Sequence, residues 1–110
     1  MRILIGTDME GVAGVIDHDT WVTPEGRYYE KGKELLTREV NAAIEGFFDA
    51  GADYILVTDG HGYGGITFEL LDPRVEFQRG WGPGPYPCGL EAGFDCFAMI
   101  GQHPKAGTEY

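Results

Sequence analysis

The sequence has 110 residues, of which 43% are hydrophobic and 24% are charged, and this is the composition of one ordinary globular domain. Eighteen acidic residues against eight basic ones give a formal net charge of −10. A charge of that sign repels phosphate backbones and anionic lipid headgroups, so neither nucleic acid nor a membrane is expected as a partner. We therefore predict a single domain over residues 1–110.

The sequence favours a cytoplasmic location. It opens with the strand-like run of residues 3–5 rather than with a basic segment and the apolar stretch of a secretion signal. No apolar run approaches the length that crosses a bilayer. Cys88 and Cys96 have neither CxxC spacing nor the density of a disulfide scaffold, which indicates free thiols in a reducing compartment.

The first half of the chain predicts a strand, a loop and a long helix. Residues 2–7 are apolar and rich in β-branched side chains, as in a buried parallel strand. Residues 11–26 carry Gly, Asp, Thr and Pro without periodicity, which indicates a long loop. Apolar residues then recur at helical spacing over residues 28–50, and Gly51 is suited to end that helix.

The second half predicts further strands and an α/β fold. Since the long helix joins two apolar strands, those strands should be parallel with a right-handed crossover. The predicted fold class is α/β, a parallel-rich sheet with helices on both faces. The chain stops soon after its last strand, where a covering helix is usual, so we expect a domain truncated at that point. The remaining predicted elements are strand 54–58, short helix 67–71, strand 75–78, a Gly/Pro loop at 80–87 and strand 94–100.

Side chains that bind metals follow three of the predicted strands. Asp8 and Glu10 come directly after the first strand, and their i, i+2 spacing places both carboxylates on one side of an extended segment. His61 follows the second strand, and His103 follows the last. The carboxyl ends of parallel strands meet at one edge of the sheet. Two carboxylates and two imidazoles there suit zinc or a similar divalent ion, so these four side chains are the predicted metal ligands.

A metal at this edge indicates hydrolysis, because a bound ion lowers the pKa of a water ligand to about 7. Taken alone, each of the four residues is also a common turn former, cap or exposed side chain, so their joint placement carries the prediction. Asp59 is expected to fix the tautomer of a ligating imidazole, or else to act as an Asp-Gly turn residue. His18 follows no strand and is expected to be exposed. The glycines match neither a GxGxxG fingerprint nor a P-loop, so nucleotide binding is not supported.

Residues 8–14, Asp-Met-Glu-Gly-Val-Ala-Gly, resemble the opening signature of the DppA-type D-aminopeptidases, a family of zinc-dependent metallopeptidases. Residues 29–32, together with Thr37 and Asn41, look like the first long helix of that family. Residues 59–61 are similar to its Asp-Ser-His turn, and residues 101–103 stand where the family has Gly-Tyr-His. These matches occur in order and span nearly the whole sequence.

This resemblance implies two zinc ions, with Asp8 bridging them and with Glu10, His61 and His103 as further ligands. It also implies an aminopeptidase that releases N-terminal, often D-configured, amino acids from short peptides or amides through zinc-activated water, and a ring-shaped homo-oligomer. The matched part is the N-terminal part of a longer family chain. The catalytic residue is therefore unassigned, because the catalytic histidine of the family falls beyond Tyr110, as does a further carboxylate ligand.

Departures from the family pattern leave other functions open. Thr58 replaces an Asn before the second turn, and residues 102–104 read Gln-His-Pro in place of Tyr-His-Ala, so the pocket shape and substrate choice are not fixed. One alternative is a truncated, non-catalytic subunit that binds metal or takes part in assembly. Another is a metallohydrolase that acts on a different small amide or ester.

Overall fold

The computed structural model describes residues 1–82, 89 and 92–108, and these form four strands, two α-helices and a short 3-10 helix. Most of the glycine- and proline-rich segment predicted as a loop, residues 83–87, lies outside the described residues, as does Cys88. None of the described helices is both long and apolar enough to span a membrane. The elements are β1 (Arg2–Thr7), α1 (His18–Trp21), α2 (Tyr29–Asp49), β2 (Tyr54–Asp59), the 3-10 helix (Phe68–Leu70), β3 (Glu76–Arg79) and β4 (Cys96–Ile100).

The described strands form one parallel sheet in the order β3-β2-β1-β4. At the carboxyl end of the central strand β1, Thr7 is in register with Asp59 of β2 and with Ile100 of β4. The segments that follow these three strands therefore leave the sheet side by side. The predicted fold class, a parallel α/β sheet with helices, is confirmed.

Helix α2 supplies the apolar stripe that was predicted for it. Leu36, Val40 and Ile44 are fully buried in one cluster with Ile5 and Val57 of the two neighbouring strands. Each such side chain contributes about 1.5–3 kcal/mol to the free energy of unfolding. This packing fixes β1 and β2 side by side, and it therefore fixes the carboxyl ends of both strands, which precede Asp8 and His61.

The structure also contains a helix that the sequence did not predict. Helix α1 lies within the predicted loop, and Asp17 caps it by accepting a hydrogen bond from the backbone N–H of Thr20 at 2.9 Å. The helix has four residues and none is buried, so no apolar period marks it in the sequence. Gly51 ends α2 with a φ of +100°, as predicted.

Candidate metal site

The turns after β1 and β4 pack backbone against backbone. The N–H of Gly11 donates to the carbonyl oxygen of Gly101 at 2.8 Å. Gly101 has a φ of +74°, and a Cβ atom there would lie 2.1 Å from the backbone oxygen of Asp8. No residue with a side chain fits this contact without moving one of the two turns. The tight crossing places His103 beside Asp8, although the two residues follow different strands.

Three of the predicted ligands form one buried cluster. The Nδ1 atom of His61 lies 3.0 Å from Oδ1 of Asp8 and 3.2 Å from Oε1 of Glu10. One ligand atom of each of these side chains lies within 4.8 Å of the others, which makes them a group that can hold a metal ion. Asp8 and His61 are buried, and Glu10 is partly exposed. The parallel register brings them together across more than fifty residues of sequence.

Among the described residues, one carboxylate oxygen of this cluster is buried without a hydrogen-bond partner. Within the described part of the chain, Oε1 of Glu10 is buried and accepts no hydrogen bond. Most buried polar atoms in proteins are hydrogen-bonded, so each exception needs an explanation. A divalent cation provides one, because carboxylate oxygens and an imidazole nitrogen are a donor set that zinc accepts. The residues that are present therefore fit a metal ion.

The backbone fixes the tautomer of His61. Its Nε2 atom lies 2.7 Å from the carbonyl oxygen of Val22, the residue that ends α1. A carbonyl oxygen only accepts hydrogen bonds, so Nε2 carries a proton and donates it. The lone pair of the neutral ring is then on Nδ1 and faces Asp8 and Glu10. Ligating imidazoles usually have such an outer partner.

The sequence left Asp59 either that outer role or the role of an Asp-Gly turn residue, and the structure gives its carboxylate contacts with the backbone of its own loop. Asp59 is only 1% exposed, and both of its oxygens accept a hydrogen bond from the N–H of Gly65 at 2.9 Å. One of them also accepts from Ile66 at 3.0 Å. Asp59 therefore closes the loop that carries His61 and does not contact the imidazole. The partner of the ring is a backbone carbonyl, which no pattern of side chains reveals.

His103 approaches the other oxygen of Asp8. Its Nδ1 atom lies 2.8 Å from the carbonyl oxygen of Pro104, so Nδ1–H donates there. Its Nε2 atom lies 3.6 Å from Oδ2 of Asp8, and the His103 side chain is 52% exposed. The two oxygens of one carboxylate thus face two imidazoles, His61 on one side and His103 on the other.

The cluster favours positive charge. Burial raises the pKa of Glu10, and the neighbouring Asp8 carboxylate raises it further. Burial alone lowers the pKa of His61, but the hydrogen bond to Asp8 and the charges of both carboxylates outweigh it, so the net pKa is raised. Burial likewise raises the pKa of Asp8, but the contacts with His61, with Glu10 and with the backbone N–H of Met9 together outweigh it, and the net pKa is lowered. A proton on His61 therefore balances the two carboxylates when no metal is bound.

Two cavities give access to these side chains. The larger, of about 410 Å³, is lined by Glu10, His103 and Lys105 among others, and a smaller one of about 270 Å³ is lined by Asp8, His103 and Trp81 among others. His18 also lines the larger cavity, and it is exposed there, as expected for a residue that follows no strand. Asp8, Glu10 and His103 therefore border cavities of the size that small molecules occupy.

Comparison with known proteins identifies the family of this chain. The sequence matches the D-aminopeptidase family, peptidase family M55, over residues 1–110. The chain belongs to the D-aminopeptidase family. The predicted family is confirmed, and it agrees with the clustering of the acidic and histidine side chains at the edge of the sheet.

Two relatives of this D-aminopeptidase-family chain come from Bacillus subtilis. A D-aminopeptidase of strain 168 is 33% identical over 110 residues, which cover 98% of this chain and 40% of that protein. The solved structure of the Zn-dependent D-aminopeptidase DppA, a self-compartmentalizing protease, has a TM-score of 0.87 with 32% identity, and it also matches over 98% of this chain and 40% of its own. The chain spans about two fifths of the length of these relatives.

Proposed function

We propose that this peptidase-family protein supports zinc-dependent hydrolysis of short peptides or amides and releases their N-terminal, D-configured amino acids. The buried Oε1 of Glu10, which lacks a hydrogen-bond partner and lies 3.2 Å from Nδ1 of His61, carries the proposal. A cation bound by these groups would give this buried oxygen the partner that it lacks. The Zn-dependent relative from B. subtilis supports zinc as that cation, and the family supports the D-configured substrate.

Two ion positions are proposed around Asp8. Oδ1 of Asp8, Glu10 and Nδ1 of His61 would hold the first ion. Oδ2 of Asp8 and Nε2 of His103 would contribute to the second. The observation that supports two ions is the contact of each Asp8 oxygen with a different imidazole, at 3.0 and 3.6 Å. A neutral side chain at position 8 cannot serve both ions with an anionic oxygen.

In this proposal the protein orients the imidazole of His61 and provides a cavity for the substrate. Zinc held by Asp8, Glu10 and His61 would supply a nucleophilic water at neutral pH and Lewis-acid polarisation of the scissile carbonyl. The carbonyl of Val22 keeps Nδ1 of His61 free of a proton whenever the ring is neutral. The cavity of about 410 Å³ holds the substrate beside Glu10 and His103. The group that moves the proton to the leaving amine stays unassigned among the described residues.

Assembly and location complete the proposal. The relative DppA is a self-compartmentalizing protease, which supports association of this chain with copies of itself, in a ring as the family resemblance implies. A cytoplasmic location and a single domain over residues 1–110 stay predictions from the sequence.

Hydrolysis and zinc content test the proposal on the purified protein. We expect zinc-dependent release of amino acids from D-alanyl peptides, with slower release from the L-alanyl equivalents. Asp8→Asn should lose both the zinc and the activity. Asp49→Asn, which changes an exposed carboxylate in the last turn of α2, should keep both.

The result also separates the alternatives. Zinc binding without hydrolysis of any peptide, amide or ester would favour the non-catalytic subunit. Hydrolysis of simple esters but not of peptides would favour the other metallohydrolase. A protein that binds no zinc at neutral pH would contradict the proposed function.

A further inference from the structure

One positively charged side chain, Lys105, differs from the others in its contacts. The sequence has eight Lys and Arg residues, and among the described residues Lys105 is the only one of them whose charged group contacts neither a carboxylate nor an aromatic ring. The seven that make such contacts are Arg2, Arg27, Lys31, Lys33, Arg38, Arg74 and Arg79. A protein with a net charge of −10 offers many partners to an ammonium group. The position of Lys105 is therefore informative.

Lys105 lines the same cleft as two of the proposed metal ligands, Glu10 and His103. Neither of the two acidic side chains described in the lining of this cleft forms an ion pair with Lys105. Glu10 faces His61 at 3.2 Å, and Asp17 accepts hydrogen bonds from Thr20. The ammonium group is thus left to a ligand from solvent.

The rest of the lining indicates what kind of ligand that is. Val15, Ile16 and Val22 give the cleft an apolar wall, and Ile16 is 80% exposed. Apolar surface with a few polar groups beside it is the usual lining of a small-molecule site. The cleft combines carboxylate and imidazole groups, apolar surface and a free ammonium group. These features match a short zwitterionic peptide.

We infer that Lys105 binds the C-terminal carboxylate of a di- or tripeptide whose N-terminal residue lies at the metal cluster. This inference rests on the proposed function and narrows its substrate class. The cleft volume of about 410 Å³ lies near the lower end of the range for small-molecule sites, about 300–1,000 Å³, which suits a short peptide. A lysine on a flexible stem can reach carboxylates at slightly different distances. The protein should therefore prefer short peptides with a free C-terminus over the matching peptide amides.

Binding to the metal-free protein tests this inference without relying on catalysis. The probes are D-alanylglycine and D-alanylglycine amide, which differ only in the charge of the C-terminus, and the readout is an NMR chemical-shift titration of the nitrogen-15-labelled protein. Wild type should bind the acid about fivefold more tightly than the amide, the size of an exposed ion pair. Lys105→Met should bind both equally, and Lys105→Arg should keep the preference.

Lys31→Met provides the matched control, because it removes an exposed lysine that pairs with Glu34 on α2. It should behave as wild type. An unchanged preference in Lys105→Met, or a wild type that binds acid and amide equally, would overturn the inference. A failure of the proposed function is distinct, because it would show as absence of zinc binding or of hydrolysis while the metal-free preference persisted. In zinc-loaded protein that hydrolyses both probes, Lys105→Met should raise KM for the acid about fivefold and leave kcat unchanged.

Discussion

The Nε2 atom of His61 lies 2.7 Å from the carbonyl oxygen of Val22. This contact joins the loop after β2 to the end of α1, so the orientation of the imidazole depends on a segment that carries no proposed ligand. It also decides that Nδ1 is the nitrogen presented to the two carboxylates. A shift of the α1 segment would therefore move the carbonyl oxygen of Val22 and reorient the imidazole of His61.

Asp8→Asn should abolish most of the stabilisation by zinc. Zinc at about a hundredfold above its dissociation constant stabilises a protein that binds it only when folded by about 2.7 kcal/mol. For a domain of this size that corresponds to a rise in Tm of roughly 10–20 °C. Thermal melts with and without zinc at neutral pH measure the rise. Equal rises in Asp8→Asn, in the Asp49→Asn control and in wild type would remove Asp8 from the ligand set.

His61→Gln and His103→Gln should differ in zinc stoichiometry. His61 is buried against both carboxylates, whereas His103 is half exposed and approaches only the carboxylate of Asp8, at Oδ2. We expect His103→Gln to retain one tightly bound ion and His61→Gln to lose that ion. Native mass spectrometry counts the ions, with the exposed His18→Gln as control. Loss of all zinc in His103→Gln alone would reverse the assignment of the two positions.

The metal-free protein should become less stable as pH rises from about 6 to 8. The net effect of burial and of the neighbouring carboxylates is that the pKa of His61 is raised, so the folded protein holds the proton to a higher pH than the unfolded chain. The stabilisation is complete below the unfolded pKa of about 6.5 and is lost as pH rises through the folded value. His61→Gln should flatten this part of the Tm profile. The stabilisation by zinc should instead increase as pH rises, because zinc binds only the unprotonated imidazole of His61.

Asp59→Asn should weaken both the fold and the metal site. The Asp59 oxygens accept hydrogen bonds from Gly65 and Ile66, and an amide NH2 in place of one oxygen would face backbone donors. Leaving such a buried donor without a partner costs about 1–3 kcal/mol. Because the same loop carries His61, zinc affinity should fall about tenfold. Denaturant titration and zinc titration measure the two effects. A variant that loses stability but binds zinc as wild type does would limit Asp59 to the fold.

Gly101→Ala should disturb the crossing of the two turns. The new Cβ atom would lie 2.1 Å from the backbone oxygen of Asp8, and the residue would keep a left-handed φ, so we expect a loss of about 3 kcal/mol. Gly51→Ala is the control, because its φ is +100° but a Cβ atom there meets nothing within 4 Å. It should cost only about 1 kcal/mol and keep the zinc-induced rise in Tm. Similar losses in both variants would show that the contact with Asp8 carries no extra cost.

The clustering of the proposed ligands was predictable from the sequence because polar residues after parallel strands share one edge of the sheet. Asp8, Glu10 and His61 needed only the strand assignments to be placed together. The contacts that orient them were not predictable in the same way. The partner of His61 is a carbonyl at the end of a four-residue helix, and a backbone acceptor has no signature in the sequence.

The main elements were predicted for a related reason. Helix α2 has a long apolar period, and β1 and β2 are continuous apolar runs, so burial alone identifies them. Helix α1 has no buried residue, and its cap of Asp17 and Thr20 is a local hydrogen bond between polar side chains and backbone. Patterns of hydrophobicity do not detect an element held in that way.

The strand order has a consequence for how the site is made during synthesis. Asp8, Glu10 and His61 lie on either side of the β1–β2 pairing, so they can meet as soon as residues up to the turn after β2 have left the ribosome. His103 follows β4, which joins the other edge of β1. A nascent chain therefore gathers one cluster of ligands early and adds the contact to the second oxygen of Asp8 only when β4 docks. A metal ion bound by this cluster during synthesis would therefore meet Asp8, Glu10 and His61 before His103.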